Sequence, residues 1–243
     1  MRLRGRWLVE ASWLGWPLVT LAGPPDRQAA DPEAPARIVT SILRLSPAHA
    51  EALGRLTSMI RADASDHYVY RPSSMHLTLL GATGSDRMRD ELGRDLAAAA
   101  RALSDPPVEI AIVGIAIGPD TVFAVLEPSD DRLLRVRREL EGQWGMRHDR
   151  GRRRWPVGGL FHANIVRWAA TPDRRLVSSL RAHRGARWPA LPLGAIELVE
   201  TNKVLAAART TTLGSFPLVG SRPGADEPGA DGHRPDHRPQ PGG

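Results

Sequence analysis

Two short stretches of this chain set a histidine and a hydrogen-bonding side chain two positions apart inside an apolar run. The first is Met75-His76-Leu77-Thr78-Leu79-Leu80 and the second is Phe161-His162-Ala163-Asn164-Ile165-Val166. Residues i and i+2 of a β-strand project from one face, so His76 points with Thr78 and His162 with Asn164. Leu77, Leu79, Ala163 and Ile165 then face the other way, suited to burial. Each copy offers an imidazole, which accepts a proton when neutral and donates one when charged, beside a donor for an anionic oxygen. A single histidine on an apolar strand is ordinarily a satisfied packing residue. Two at equivalent positions of an internal repeat point to one shared acid–base site.

The surrounding elements repeat as well. Each copy is followed by a turn and an Asp-Arg pair, Asp86-Arg87 and Asp173-Arg174. After the first, Met88, Leu92, Leu96, Ala99 and Leu103 recur at helical spacing, with Ser85 and Asp86 as caps. After the second, Thr171-Pro172-Asp173 supplies a cap residue, a proline for the first helical position and a carboxylate for the positive helix end. Two β-rich runs follow each helix, at residues 108–117 and 121–126 and then at 195–200 and 204–209. Ahead of the first histidine strand, residues 37–43 read as a strand and Ser46-Pro47 opens a helix to about residue 60; ahead of the second, Leu133, Leu134, Val136 and Leu140 mark a helix over 131–143. The expected fold is α+β. It is a two-lobed pseudo-symmetric duplication over residues 36–220, with antiparallel sheets lining a groove and helices outside.

Composition narrows the chemistry. With 243 residues, 42% hydrophobic and 25% charged, the chain has the makeup of a globular protein with a sizeable core, which excludes collagen and coiled coil. The absence of cysteine excludes disulfide frameworks, thiolate nucleophiles and Cys-ligated zinc or iron–sulfur centres. His76 and His162 lack carboxylate companions at ligand spacing, and no His-Glu-x-x-His, Walker loop or Gly-x-Gly-x-x-Gly is present, so neither a metal nor a cofactor is expected. The net charge of +6 is carried almost wholly by arginine, Lys203 being the only lysine. A chain-wide replacement of this kind reads as compositional drift, and a phosphate site needs a local cluster. One exists: Arg150, Arg152, Arg153 and Arg154, followed by Trp155, immediately precede the second histidine strand. These arginines suit the phosphates of an RNA end and Trp155 suits stacking on a base; the other reading is a solvated loop. Arg71, Arg167, Tyr68 and Tyr70 are weaker candidates for the groove.

The paired motifs His76-Leu77-Thr78-Leu79 and His162-Ala163-Asn164-Ile165 resemble those of the 2H phosphoesterase superfamily, whose 2′-5′ RNA ligase and 2′,3′-cyclic phosphodiesterase members carry two His-x-Thr/Ser motifs. The resemblance extends over residues 36 to 218, through Ile196-Glu197-Leu198-Val199-Glu200 to the closing Phe216-Pro217-Leu218. It implies His76 and His162 as the catalytic pair and Thr78 and Asn164 as phosphate-binding residues. The implied activity is metal-independent hydrolysis of 2′,3′-cyclic phosphate ends of RNA or nucleotides, with 2′-5′ ligation as the reverse. His162 is expected to act as base for water and His76 as acid, in a cytoplasmic monomer whose partner is RNA or a nucleotide. One position departs from the pattern: Asn164 stands where the second motif has a hydroxyl. Its amide can still donate to a phosphate oxygen but is longer and branches differently. The alternative is therefore a nucleotide- or RNA-binding module that keeps the groove with little or no turnover.

The two ends differ from the middle. In residues 1–35, Arg2, Arg4 and Arg6 precede an apolar stretch with Trp7, Trp13 and Trp16, broken by Glu10 and followed by a Pro- and Asp-rich run. A peripheral or partly disordered extension is the first expectation and a signal peptide over residues 1–23 the second; the stretch is too short and interrupted for a membrane span. Residues 221–243 are Gly, Pro, Asp, Arg and His without an apolar run, the composition of a disordered tail.

Overall fold

The computed structural model describes residues 2–19, 31–36, 38–83, 86–144 and 161–218. Helix α1 (Arg2–Val19) precedes strand β1 (Ile38–Arg44) and helix α2 (Pro47–Ile60). Helix α2 starts where the sequence says it should: the Ser46 hydroxyl accepts the His49 N–H at 3.3 Å and proline takes the first position, where no N–H is needed. There follow β2 (Tyr68–Val69), a 3₁₀ turn at Pro72–Ser74, β3 (His76–Thr83), α3 (Asp86–Ala102), β4 (Glu109–Ile117), β5 (Thr121–Pro128) and α4 (Arg132–Trp144). The chain continues with β6 (Phe161–Arg167), α5 (Arg174–Ala182), β7 (Trp188–Pro192), β8 (Ala195–Thr201) and β9 (Thr211–Pro217). Ser85, the arginine cluster Arg150, Arg152, Arg153 and Arg154 with Trp155, and the tail lie outside the described residues.

Two antiparallel sheets result. Sheet I has the order β3-β1-β8-β9 and sheet II the order β2-β6-β5-β4-β7. The histidine strand β3 thus belongs to sheet I and β6 to sheet II. The strand pair that follows each histidine strand joins the opposite sheet: β5, from the first half, pairs with β6 and β4 lies beyond it, while β8 and β9, from the second, extend β1 and β3. Each lobe is assembled from both halves of the repeat.

Alternation divides each histidine strand as expected. Leu77, Leu79, Ala163 and Ile165 are fully buried on the faces away from the histidines. Helix α3 backs sheet I on that side: Gly93 comes near Phe216, which pairs with Ile196, which pairs with Leu43. Among the described residues no helix is long and apolar enough to cross a membrane.

Three local expectations change. Helix α5 begins at Arg174, capped by Asp173, whose carboxylate accepts the Leu176 N–H at 2.7 Å; Thr171 and Pro172 stay outside because the charged oxygen serves the exposed amide and the dipole together. Residues 204–209 form no strand. Leu205 has φ 48°, and Asn202 Oδ1 accepts the Ala206 N–H at 3.1 Å, which holds the chain in a loop and moves the last strand to β9. The N-terminal segment is helical, with Val9 and Trp13 buried against sheet II.

Leu43 on β1 and Ile196 on β8 are direct partners and wholly buried, although they come from different halves. Leu43→Ala and Ile196→Ala should each cost about 2–5 kcal/mol in urea unfolding. Measured as a double-mutant cycle, they should depart from additivity by about 0.5–3 kcal/mol; strict additivity would contradict the exchanged pairing.

Candidate active site

Sheet I supplies His76 and Thr78 from β3. In an antiparallel pair, residues directly opposite share a face, and His76 stands opposite Arg44 while Thr78 stands opposite Ile42, itself opposite Glu197 of β8. One face of sheet I therefore carries His76, Thr78, Arg44 and Glu197. Arg44 Nε donates to Glu197 Oε2 at 2.9 Å and Nη1 donates to the Ser73 carbonyl at 3.2 Å, which fixes the guanidinium beside the histidine. His76 is 4% exposed, and its Nδ1 lies 2.8 Å from the Ser74 carbonyl. That carbonyl can only accept, so Nδ1 carries the proton and Nε2 is left with its lone pair.

Sheet II supplies His162 and Asn164 from β6. Opposite them on β5 stand Val125 and Phe123, and the Phe123 ring meets the His162 ring edge-on at 5.3 Å. His162 is exposed and Asn164 half-buried. The Thr121 hydroxyl lies 3.2 Å from Asn164 Oδ1 and 2.7 Å from the Val166 carbonyl, so the amide is anchored from the β5 side.

The two sheets meet at these strands. Strands β3 and β6 pack against each other, and His76 feels the charge of a protonated His162. Tyr70 spans the junction. It is completely buried, its N–H donates to the Ile165 carbonyl at 3.0 Å, and its ring centroid lies 6.4 Å from that of His76. Burial pushes its hydroxyl pKa up, while Arg167 and Asn164 beside the hydroxyl pull the other way. Arg167 in turn donates to Asp120 Oδ2 at 3.0 Å.

His76, Thr78, His162 and Asn164 are thus carried by adjoining strands of the two sheets. Arg44, Glu197 and the bridging role of Tyr70 escape a reading of the sequence, because each depends on strand register between distant segments. Arg71 is exposed. A cleft of about 920 Å³ lies between α2 and the Pro72–Ser74 turn; Arg44 lines it, but neither histidine does. Among the described residues no cluster of three metal-ligating side chains occurs.

Burial holds the His76 imidazole at a pKa of about 4, helped by the positive Arg44 and by His162 and opposed by the Ser74 carbonyl. Desolvation brings His162 down to about 4 as well, helped by Arg137 and Arg167 and opposed by Asp120. Both rings are therefore biased to the neutral form.

No family model matches the chain, and no curated protein does. Solved structures do. TT0787 of Thermus thermophilus aligns over 76% of this chain and 100% of its own, at TM-score 0.56 and 17% identity. A structure described as a phosphoesterase aligns over 76% and 99%, at TM-score 0.50 and 17% identity. Escherichia coli LigT complexed with NADP+ matches more loosely, also over 76% and 99%, at TM-score 0.49 and 15% identity. The shared architecture is the mixed helix and antiparallel-sheet fold of the 2H phosphoesterases, the fold that the paired histidine motifs imply.

The buried His76 also links stability to pH. Its pKa is about 4 when folded and 6.5 in the unfolded chain, so below pH 6.5 the unfolded state takes up a proton that the folded state refuses. The contribution is complete above 6.5 and is lost as pH falls towards 4, by on the order of 3 kcal/mol. Urea unfolding across that window should show a flatter pH dependence in His76→Asn than in the parent; equal slopes would mean that His76 stays hydrated.

Proposed function

We propose that this protein is a metal-independent phosphodiesterase that opens the 2′,3′-cyclic phosphate of RNA ends or nucleotides. The observation that carries the reading is the pairing of His76 and His162. They come from different sheets, sit on adjoining strands close enough for His76 to sense the charge of His162, and each has a donor two residues on. In the proposed step water forms a bond to phosphorus while the bond to one ribose oxygen breaks. One imidazole takes the water's proton and the other gives a proton to the departing oxygen. Thr78 and the Asn164 amide donate to the non-bridging oxygens, and the Arg44 guanidinium adds positive charge beside them. Side chains cover every proton and charge, so the scheme asks for no metal.

The tautomer favours a division of labour opposite to the one expected from sequence. His76, with its Nδ1 proton held by Ser74 and its charged form disfavoured, is suited to be the base through Nε2. His162, the more exposed of the two, is then left to give the proton to the departing oxygen. The fold likeness to a phosphoesterase supports the reaction class. The near-complete burial of His76 favours the second reading, a nucleotide-binding module with little turnover.

Turnover of a 2′,3′-cyclic mononucleotide separates the two. Activity should persist in chelator and drop by at least about 10²-fold in His76→Ala and in His162→Ala. Asn164→Ala should lose about 2–4 kcal/mol of transition-state stabilisation while Asn164→Thr keeps much of the rate. An inactive parent that gains activity on Asn164→Thr would establish the binding module instead.

A further inference from the structure

Strand register puts the N-terminal helix on the face that carries the second histidine. Moving from β6 across the sheet, the residue opposite His162 is Val125, and the residue opposite Val125 is Gly114, so the three project from one face of sheet II. Helix α1 lies on that face. A Cβ built at Gly5 would stand 3.4 Å from Val125 Cγ1 and 2.9 Å from Val113 Cγ2, and one built at Gly114 would stand 2.7 Å from Val9 Cγ2. The two glycines permit a close approach of helix and sheet. Polar contacts fasten it: Trp13 Nε1 donates to the Ile115 carbonyl at 2.8 Å, and the Ile117 N–H donates to the Ser12 hydroxyl at 3.2 Å. These are strand groups beyond Ile112, where β7 stops pairing with β4.

The dimensions then decide what remains open. A helix with its side chains is about 10 Å across and strands are spaced by about 4.8 Å, so α1 takes up the width of β4 and β5, and Gly5 reaches Val125, the residue directly opposite His162. Val125, directly beside His162, is already fully buried and Phe123 is nearly so. A substrate whose phosphate sits between the histidines therefore meets α1 as soon as it extends across sheet II.

We infer that α1 is a specificity wall, closing the sheet II side of the groove so that the site takes a mononucleoside cyclic phosphate and discriminates against a polynucleotide end. The inference rests on the phosphodiesterase reading above. Residues Gly5, Val9 and Trp13 act by holding the wall in place, and none of them belongs to the acid–base pair.

The absence of cysteine makes a clean test available. Trp13→Ala removes the anchor of α1, and Gly114→Ala pushes a methyl group onto Val9 and the Arg184 carbonyl, so two independent variants loosen the helix. A third protein combines Trp13→Ala with Gly5→Cys and Val113→Cys, whose side chains are near enough for a disulfide that refastens the wall on oxidation. In each, kcat/KM is measured for a mononucleoside 2′,3′-cyclic phosphate and for a short oligoribonucleotide ending in the same group, with hydrogen exchange of the α1 amides as the readout of docking. The parent should favour the mononucleotide. Loosening should raise the oligonucleotide-to-mononucleotide ratio by about tenfold, and oxidation of the disulfide protein should reverse it. An unchanged ratio in variants whose α1 amides exchange freely would overturn the wall while leaving the phosphodiesterase intact. Failure of the parent and every variant to turn over either substrate would overturn the phosphodiesterase reading and the wall with it.

Discussion

The packing of β3 against β6 is the contact on which the rest depends. Strand β3 presents Leu77 and Leu79, and β6 presents Ala163 and Ile165, to a buried layer, and each turns a histidine with its companion donor to the other side. Neither strand could hold that orientation alone. Strand β3 is an edge strand fixed through β1 and β8, and β6 is fixed between β2 and β5. Tyr70 fills the space where the sheets meet, its ring beside His76 and its hydroxyl beside Asn164 and Arg167, so one buried side chain sets the spacing of both motifs. A shift by one residue in either ladder would turn a histidine into the core.

The local sequence is pseudo-symmetric, yet the site it builds is not. His76 is buried, its tautomer set by a backbone carbonyl and its charge opposed by Arg44, whereas His162 is open and lies against Phe123. The difference follows from what each strand has for a neighbour. On β1 a charged arginine lies across from the first histidine, and on β5 a valine and a phenylalanine lie across from the second motif. Duplicated elements in unlike surroundings give two imidazoles with unlike neighbours.

What could be read from the sequence was what local chemistry decides. Alternation of apolar and polar residues gave both histidine strands their orientation, and the Ser46-Pro47 cap gave the start of α2. Helical spacing gave α3 and α4, whose bounds fall within a residue or two of those expected. Three features were not legible, each for a physical reason. Arg44 and Glu197 lie beside His76 only through pairings between distant strands. The course of residues 204–209 turns on the positive φ of Leu205, which no apolar pattern announces. Helix α1 read as an ambiguous apolar stretch because its burial is confined to one stripe, Gly5, Val9 and Trp13, while Trp7 and Leu14 stay exposed.

The exchange of strand pairs also sets a timetable for the chain during synthesis. Sheet II can gather β4, β5 and β6 from a continuous middle portion, but β1 has to wait for β8, and Leu43 meets Ile196 only after nearly the whole body has been made. Closing so long a loop costs little extra free energy per added residue, yet contacts of high sequence separation form slowly. Until β8 and β9 arrive, one edge of β1 has no partner, and an unpaired strand edge is a template for another chain. The nascent protein is therefore most prone to misassociation late in its translation, after the first histidine has been made and before its sheet can be completed.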